Sequence, residues 1–121
     1  FCYDCMHKQY SDIGMIQVRE ADITFDSEIV FDLGDIHVKG IHIDTPHTRD
    51  AVLYYVEEEK VVIAADAEYE DYYDNNSQYD PARLVFFIQF LEELDFEYYL
   101  RGHDDFKLTK VEILNKLKAA M

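Results

Sequence analysis

The stretch that decides the fold is IHIDTPHTRDAVLYYVEEEKVVIAADAEYED, residues 41–71. Two apolar segments, AVLYYV (51–56) and VVIAA (61–65), flank the charged residues EEEK. Apolar runs of this length around a short polar segment are typical of a β-hairpin. We therefore predict two adjacent antiparallel strands with the turn near Glu58 and Glu59, although EEEK lacks the Asn-Gly signal of the tightest turns.

This hairpin brings distant residues to one end of the predicted sheet. A turn near Glu58 sets Asp66 opposite about residue 51 and leaves His47 just beyond the same open end. His103, in YYLRGHDDF, follows another predicted strand and is expected in the same rim of loops. Imidazole and carboxylate groups are usual ligands of zinc, manganese and iron. The pattern therefore favours a metal site made of His47, Asp66 and His103.

The first half of the chain otherwise has a strand-like pattern. We predict strands at MIQV (15–18), ITF (23–25), EIVF (28–31) and DIHVKGIHID (35–44). Within the last of these, the alternation of apolar residues slips by one at Gly40. A glycine at such a slip indicates a bulge or a bend.

The second half is predicted to be a helix, a strand and a helix after a polar, tyrosine-rich connection. Asp80 and Pro81 suit the N-cap and first position of a helix whose apolar body, ARLVFFIQFLEEL (82–94), should pack against a sheet or another chain. FEYYL (96–100) is typical of a strand. LTKVEILNKLKAAM (108–121) predicts a final helix with a capping box of Thr109 and Glu112 and an apolar stripe of Val111, Leu114 and Leu117. Together these elements predict an α/β architecture.

Size and charge exclude several kinds of protein. The 121 residues suit one modest core, so we expect one domain over residues 1–121. With 26 acidic and 11 basic residues, the net charge of -15 argues against nucleic acid and anionic membranes as partners. No apolar run approaches the roughly 20 residues of a membrane span, and no leader pattern opens the chain. We therefore expect a soluble, cytoplasmic protein.

The cysteine content gives little sign of a metal or redox site. Cys2 and Cys5 form one Cys-x-x-Cys, whereas a structural zinc site normally needs four ligands. We favour two free thiols in a strand or terminal loop.

The ordered motifs resemble those of the metallo-β-lactamase-fold hydrolases. In that family a histidine opens a hairpin, an aspartate ends it, and a second histidine follows a later strand. TPHTRDAVLYYVEEEKVVIAADA and LRGHDD match this order and spacing. The resemblance, over roughly residues 20 to 110, implies that His47 binds one metal, that Asp66 bridges two, and that His103 binds the second.

The resemblance also suggests where a substrate would lie. Members of the family often build a substrate wall from the connection after the bridging aspartate, and this chain has Tyr69, Tyr72, Tyr73 and Tyr79 there. We take Tyr69 and Tyr72 as candidate substrate-binding residues. The alternative is that these aromatic residues only cover a helix or an interface.

The chain also departs from the family pattern. Pro46, Asp50 and Ala65 stand where glycines are common, and we expect Asp50 to tolerate a positive φ. The family's leading signature, His-x-His-x-Asp-His, has no counterpart here. The resemblance therefore implies that residues 1–121 are a partial domain, the C-terminal half of an αββα sandwich. This half would have a mixed, mainly antiparallel sheet with two or more helices on one face.

The function implied by the resemblance is metal-dependent hydrolysis. The intact enzyme would use two divalent ions, zinc by preference and manganese or iron as alternatives. A metal-bound hydroxide would attack a small-molecule ester, lactone or thioester. The chain by itself is expected to bind metal weakly or not at all, to be inactive, and to associate with a second copy or with the missing N-terminal half. The alternative is a non-catalytic interaction or dimerisation module that keeps the half-fold.

Overall fold

A computed structural model of the protein describes residues 3–72 and 75–121. The described helices are α1 (Tyr3–Gln9), α2 (Pro81–Glu93) and α3 (Lys110–Lys118), with a single 3₁₀ turn at Ile13–Met15. The strands are β1 (Glu28–Asp32), β2 (His37–Ile43), β3 (Ala51–Val56), β4 (Val61–Ala65), β5 (Tyr98–Arg101) and β6 (Leu108–Thr109). Cys2 and Tyr73 lie outside the described residues, so the predictions made for them are not addressed.

All six strands form one sheet in the order β1-β2-β3-β4-β5-β6. Strands β4 and β5 are parallel, and every other neighbouring pair is antiparallel. A parallel pair needs a crossover connection, and here that connection contains α2. The predicted α/β class, with a mixed and mainly antiparallel sheet and helices, is confirmed.

The hairpin of β3 and β4 forms as predicted. Val56 pairs with Val61, so residues 57–60 make the turn. Lys60 has a φ of 51° there, which closes the turn without an Asn-Gly sequence. The backbone carbonyl of Lys60 accepts hydrogen bonds from the N–H groups of Glu97 and Tyr98, at 2.8 and 3.1 Å. The turn is thereby joined to the start of β5.

The core lies between α2, α3 and one face of the sheet. Helix α2 buries side chains at helical spacing, and each such apolar residue contributes about 1.5–3 kcal/mol. On its outer side Val85 and Phe86 are exposed, so the sheet covers only one side of this apolar helix. The buried apolar residues are Ile41, Ile43, Leu53, Tyr55, Val62, Ala64, Ala67, Leu84, Phe87, Ile88, Leu91, Phe96, Tyr99, Ile113 and Leu117.

Helix α3 begins as predicted but faces the core differently. The Thr109 and Glu112 capping box is present. The predicted stripe is right at Leu117, which is buried, and at Leu114, which is partly buried against the core. It is wrong at Val111, which is 66% exposed, and Ile113 is buried instead. Residues four apart lie on one side of a helix, so the pair of Ile113 and Leu117 sets the buried face.

Two strands predicted near the N-terminus do not form. MIQV overlaps the 3₁₀ turn, and neither it nor ITF enters the sheet. Val18 is 93% exposed and Ile23 65%, so these short apolar runs have no face to bury against. The prediction that Cys5 lies in a strand or loop is also wrong, since it falls within α1.

The bulge predicted at Gly40 is absent. The pairing of β2 with both neighbours continues through this residue without a shift. The slip in the pattern arises because both faces of β2 carry apolar residues, with Val38 on one side and Ile41 on the other. Gly40 is needed for space, because a Cβ there would lie 2.9 Å from Cγ2 of Ile29.

The sheet face away from the helices is apolar and uncovered. Strand alternation and the pairing register place ten apolar residues on it, and none of them is fully buried. We call this surface the open face; it consists of Ile29, Phe31, Val38, Val52, Tyr54, Val56, Val61, Ile63, Tyr98 and Leu100. Across residues 3–72 and 75–121, every helix falls short of the length and apolar content needed to cross a membrane.

Candidate functional site

The topology of the sheet explains why three distant residues meet. Strands β4 and β5 are parallel, so their carboxyl ends lie at the same edge, and β3 begins there because it is antiparallel to β4. His47 precedes β3, Asp66 follows β4, and His103 follows β5. All three line one cavity of about 480 Å³, together with Tyr69 and Tyr72.

A tight turn holds His47 at the mouth of this cavity. The Thr45 N–H and hydroxyl both donate to the carbonyl of Thr48, at 2.9 and 3.0 Å. The Thr48 N–H in turn donates to the Thr45 hydroxyl at 3.2 Å. Pro46 is buried within this turn. The proline that replaces a common glycine of the family pattern is thus packed inside the protein.

The ring of His47 has a defined tautomer. Its Nδ1 lies 2.8 Å from the backbone carbonyl of Glu70. Because a carbonyl oxygen can only accept, Nδ1 carries a proton, and in the neutral imidazole the lone pair is therefore on Nε2. Histidines that ligate metals are typically oriented by this kind of hydrogen bond from the other ring nitrogen.

Asp66 and His103 meet because the two chain segments approach closely at Gly102. Nε2 of His103 lies 3.4 Å from Oδ1 of Asp66. The Gly102 N–H donates to the Ala65 carbonyl at 2.5 Å. A Cβ at position 102 would lie 2.1 Å from Oδ1 of Asp66 and 3.2 Å from the Ala65 carbonyl oxygen, so a larger residue there would displace this carboxylate.

Two residues at this edge adopt the left-handed backbone region. Ala65 has a φ of 48° and His103 a φ of 66°. A residue without a polar side chain rarely takes this conformation, and such outliers concentrate at functional sites. Asp50, which we expected to tolerate a positive φ, is not among the residues that have one.

Tyr69 contacts both candidate histidines. Its ring centroid lies 6.5 Å from that of His47 and 6.2 Å from that of His103, both edge to face. Its hydroxyl donates to the Gly102 carbonyl at 3.1 Å, so the ring rather than the hydroxyl faces a ligand. Tyr72 makes a similar contact with His47 at 6.3 Å and is 57% exposed.

A buried carboxylate that the sequence did not suggest lies near the site. Glu68 is fully buried, and burial raises the pKa of its carboxyl group. The Tyr99 hydroxyl donates to its Oε2 at 3.3 Å, and Nη1 of Arg101 lies 3.5 Å from its Oε1. The Tyr79 hydroxyl donates to the Glu68 backbone carbonyl at 3.0 Å. Burial raises the pKa of Tyr79 to about 12, so this donor stays protonated at neutral pH.

Arg101 links this buried group to the cavity wall. Its guanidinium lies 5.6 Å from the ring centroid of Tyr69, in cation–π geometry, and pairs with the carboxylate of Asp104. Lys116 is a second cation over the same ring, at 5.4 Å. Tyr69 is therefore held by two cations and one hydrogen bond.

A buried ion pair fixes the loops on the other side of the site. Arg83 of α2 pairs with Asp71, and both side chains are almost fully buried. Nη1 of Arg83 also donates to the Thr45 carbonyl at 3.1 Å. Helix α2 is thereby connected both to the turn that carries His47 and to the segment that carries Tyr72.

Sequence reasoning identified the rim of the site but missed its supports. Glu68, Asp71, Arg83 and Arg101 stand among other charged residues in the sequence, and no spacing distinguishes them. The one available signal was an arginine inside an otherwise apolar helix, since an arginine there needs a buried partner.

The candidate ligands fit a shared metal centre only in part. Their donors, two imidazoles and a carboxylate, are of the right type. Among the described residues, however, no group of three or more histidine, cysteine, aspartate or glutamate side chains is arranged to hold one metal ion. In a two-metal arrangement, Asp66 would be shared and each imidazole would bind a different ion. This chain would then supply only two ligands to each metal.

Comparisons with models of known protein families and with curated proteins found no match to this chain.

Proposed function

We propose that this chain supplies half of the metal centre of a cytoplasmic, metal-dependent hydrolase of the metallo-β-lactamase type. Its substrate would be a small-molecule ester, lactone or thioester. The observation that carries the proposal is the tautomer of His47, whose Nδ1–H is bound to the Glu70 carbonyl while its Nε2 lone pair stays available in a cavity shared with Asp66 and His103.

Each residue has a role in this proposal. His47 and His103 each bind a different metal ion, and Asp66 bridges the two. Zinc is preferred, with manganese or iron as alternatives. Ions bound here would activate a water molecule and polarise the scissile carbonyl. The rings of Tyr69 and Tyr72 line the cavity and hold the apolar part of a substrate.

The charge of the chain narrows the substrate class. A net charge of -15 repels anionic substrates at a distance, and Asp66 adds a carboxylate inside the cavity. A neutral ester, lactone or thioester therefore suits the site better than a phosphodiester.

The first test is zinc affinity, measured by competition with a chromophoric chelator. Weak binding is expected, because each ion receives one imidazole and a shared carboxylate from this chain. His47→Ala, Asp66→Asn and His103→Ala should each weaken it further. His37→Ala is the matched control, since His37 is an exposed histidine whose Nδ1 also lies near a carboxylate, that of Glu58 at 2.7 Å. Equal affinities in all four variants and the wild type would contradict the proposal.

The second test is catalytic complementation. The chain alone should not turn over ester, lactone or thioester reporters in added zinc or manganese. Activity should appear when it is combined with a polypeptide encoded directly upstream that carries His-x-His-x-Asp-His. If no such signature is encoded there or in a neighbouring gene, the hydrolase proposal fails.

The second candidate function is a non-catalytic interaction or dimerisation module. The open face favours it, because ten apolar residues on one side of the sheet are not fully buried. The two functions separate experimentally. A module of this kind would associate with a partner identically whether or not His47, Asp66 and His103 were replaced.

A further inference from the structure

Strand β1 forms one edge of the sheet, and this edge is uncovered. Its residues Glu28, Val30, Phe31 and Asp32 are all exposed, with Val30 at 55%. Leu33, just beyond the strand, is also exposed. An exposed, apolar edge strand presents unpaired backbone groups and is a ready template for another strand.

The hydrogen-bond register identifies which groups point outward. The His42 N–H bonds to the Ser27 carbonyl, and the Leu33 N–H bonds to the Ile36 carbonyl. The backbone N–H and C=O groups of the odd-numbered residues of β1 therefore point toward β2. Antiparallel ladders alternate, so the N–H and C=O groups of Glu28, Val30 and Asp32 point away from the sheet. Within the described residues, none of these three has a backbone partner outside the β1–β2 ladder.

The charges on β1 disfavour a second copy as the occupant. An antiparallel pair of β1 strands centred on Val30 would set Glu28 opposite Asp32 twice. Like charges directly opposite each other destabilise a strand pair. The allowed registers that avoid this contact join only two of the three outward-facing residues.

We propose that the β1 edge binds an extended, basic-flanked segment of a partner protein as an antiparallel seventh strand. The segment has a lysine or arginine opposite Glu28 and another opposite Asp32, which are four residues apart in β1. Between them it carries apolar or β-branched residues, which meet Val30 on one face and continue the open face beside Ile29 and Phe31. Main-chain bonds give affinity, and the two ion pairs give register.

The experiment titrates the protein into a fluorescent, end-capped nine-residue peptide with two lysines four positions apart and three β-branched residues between them. The matched control has the same composition, with the lysines three apart so that they face opposite sides of the strand. We expect the control, and a peptide with glutamates for lysines, to bind roughly tenfold more weakly or worse. Hydrogen exchange should slow at the amides of Glu28, Val30 and Asp32 only.

Two variants locate the site. Val30→Pro removes an outward N–H without touching the β1–β2 ladder, so it should abolish binding while the fold is kept, whereas Val30→Thr should bind normally. The Glu28→Lys variant should bind the original peptide more weakly than a peptide whose C-terminal lysine is replaced by glutamate. The reason is that antiparallel pairing places that peptide position opposite residue 28. This exchange tests register even if the proline variant folds poorly.

Three results would overturn the proposal. Equal binding of both lysine peptides would show non-specific attraction to an acidic protein. Slower exchange elsewhere in the sheet would place the peptide at another surface. Self-association of the protein that Val30→Pro abolishes would make a second copy the occupant.

Discussion

Ala65 holds a backbone conformation that glycine adopts more readily. Its φ is 48°, and its side chain is exposed, so the methyl group packs against little. The left-handed region costs an alanine about 1–2 kcal/mol, whereas a glycine loses about 0.5–1 kcal/mol more backbone entropy on folding. We expect Ala65→Gly to raise the free energy of unfolding by about 0.5–1 kcal/mol.

Urea unfolding of Ala65→Gly beside Ala64→Gly checks this expectation. Ala64 is buried in β4 and is not among the residues with a positive φ, so glycine there should destabilise the protein. A loss of stability in both variants would mean that Ala65 is not strained.

Glu68 should make stability depend on pH. Its pKa is raised by burial from an ordinary value of 4.5, so the folded state favours the protonated form. The stability that this preference contributes is full below the unfolded pKa and is lost as pH rises through the folded pKa. The free energy of unfolding of the wild type should therefore fall, relative to that of Glu68→Gln, as pH rises above about 4.5.

Urea unfolding of both proteins at several values over about pH 4 to 7 measures this difference. Glutamine keeps an oxygen that can accept from the Tyr99 hydroxyl, so the wild type and the variant both keep this hydrogen bond. Parallel pH profiles would show that Glu68 does not titrate differently in the folded protein.

At the residue scale, the sequence predicts positions better than environments. His47, Asp66 and His103 were placed at one rim because their positions follow from strand ends. The burial of Glu68 could not be predicted, because it depends on Tyr99 and Arg101 of β5, more than thirty residues away. Ala65, with its positive φ, likewise takes part in a long-range contact, because its carbonyl accepts from the Gly102 N–H.

Among the elements, those with local signals were predicted and those decided by tertiary contacts were not. The Asp80 cap with Pro81 and the Thr109 capping box satisfy their own helix ends, so they define α2 and α3 from sequence alone. The short apolar runs at MIQV and ITF have no capping residues or other local signal of this kind. A strand exists only with a partner, and the sheet offers these runs none.

Arg83 of α2 provides a test at the level of one element. Arg83→Met removes one partner of the buried Asp71 carboxylate, and breaking a buried pair of this kind costs about 3–5 kcal/mol. We expect α2 to remain helical, since the Asp80 cap is untouched, while the turn with His47 loses its bond to the helix. The measurement is urea unfolding, with the His47 ring resonances in NMR as the local readout.

Arg83→Lys is the control for charge. A lysine keeps the positive charge but cannot reach Asp71 and the Thr45 carbonyl together, so an intermediate loss is expected. The double variant of Asp71→Asn with Arg83→Met measures the interaction energy between the two side chains, apart from their other contacts. Additive losses would show that the two residues are not coupled.

For the whole molecule, the open face predicts self-association. Tyr54 and Ile63 lie near its centre and are 42% and 41% exposed. Exposed apolar surfaces of this kind commonly bind another protein or a second copy. Ile63→Lys should lower the average mass seen by light scattering toward that of the monomer. Phe86→Lys, on the exposed side of α2, is the matched control and should leave the mass unchanged. If Phe86→Lys rather than Ile63→Lys lowered the mass, the association would be assigned to α2. A monomer at all concentrations would contradict the prediction of self-association.

The single parallel strand pair has a consequence for the order of folding. The β3–β4 hairpin closes across four residues, whereas β4 and β5 must join across the connection that contains α2. Long-range pairing is slow because the chain between the strands must be ordered first. Asp66 and His103 meet only when that pair forms, so the cavity should be among the last features to appear during refolding. A probe of the Asp66–His103 contact should then report a slower phase than a probe placed in the hairpin.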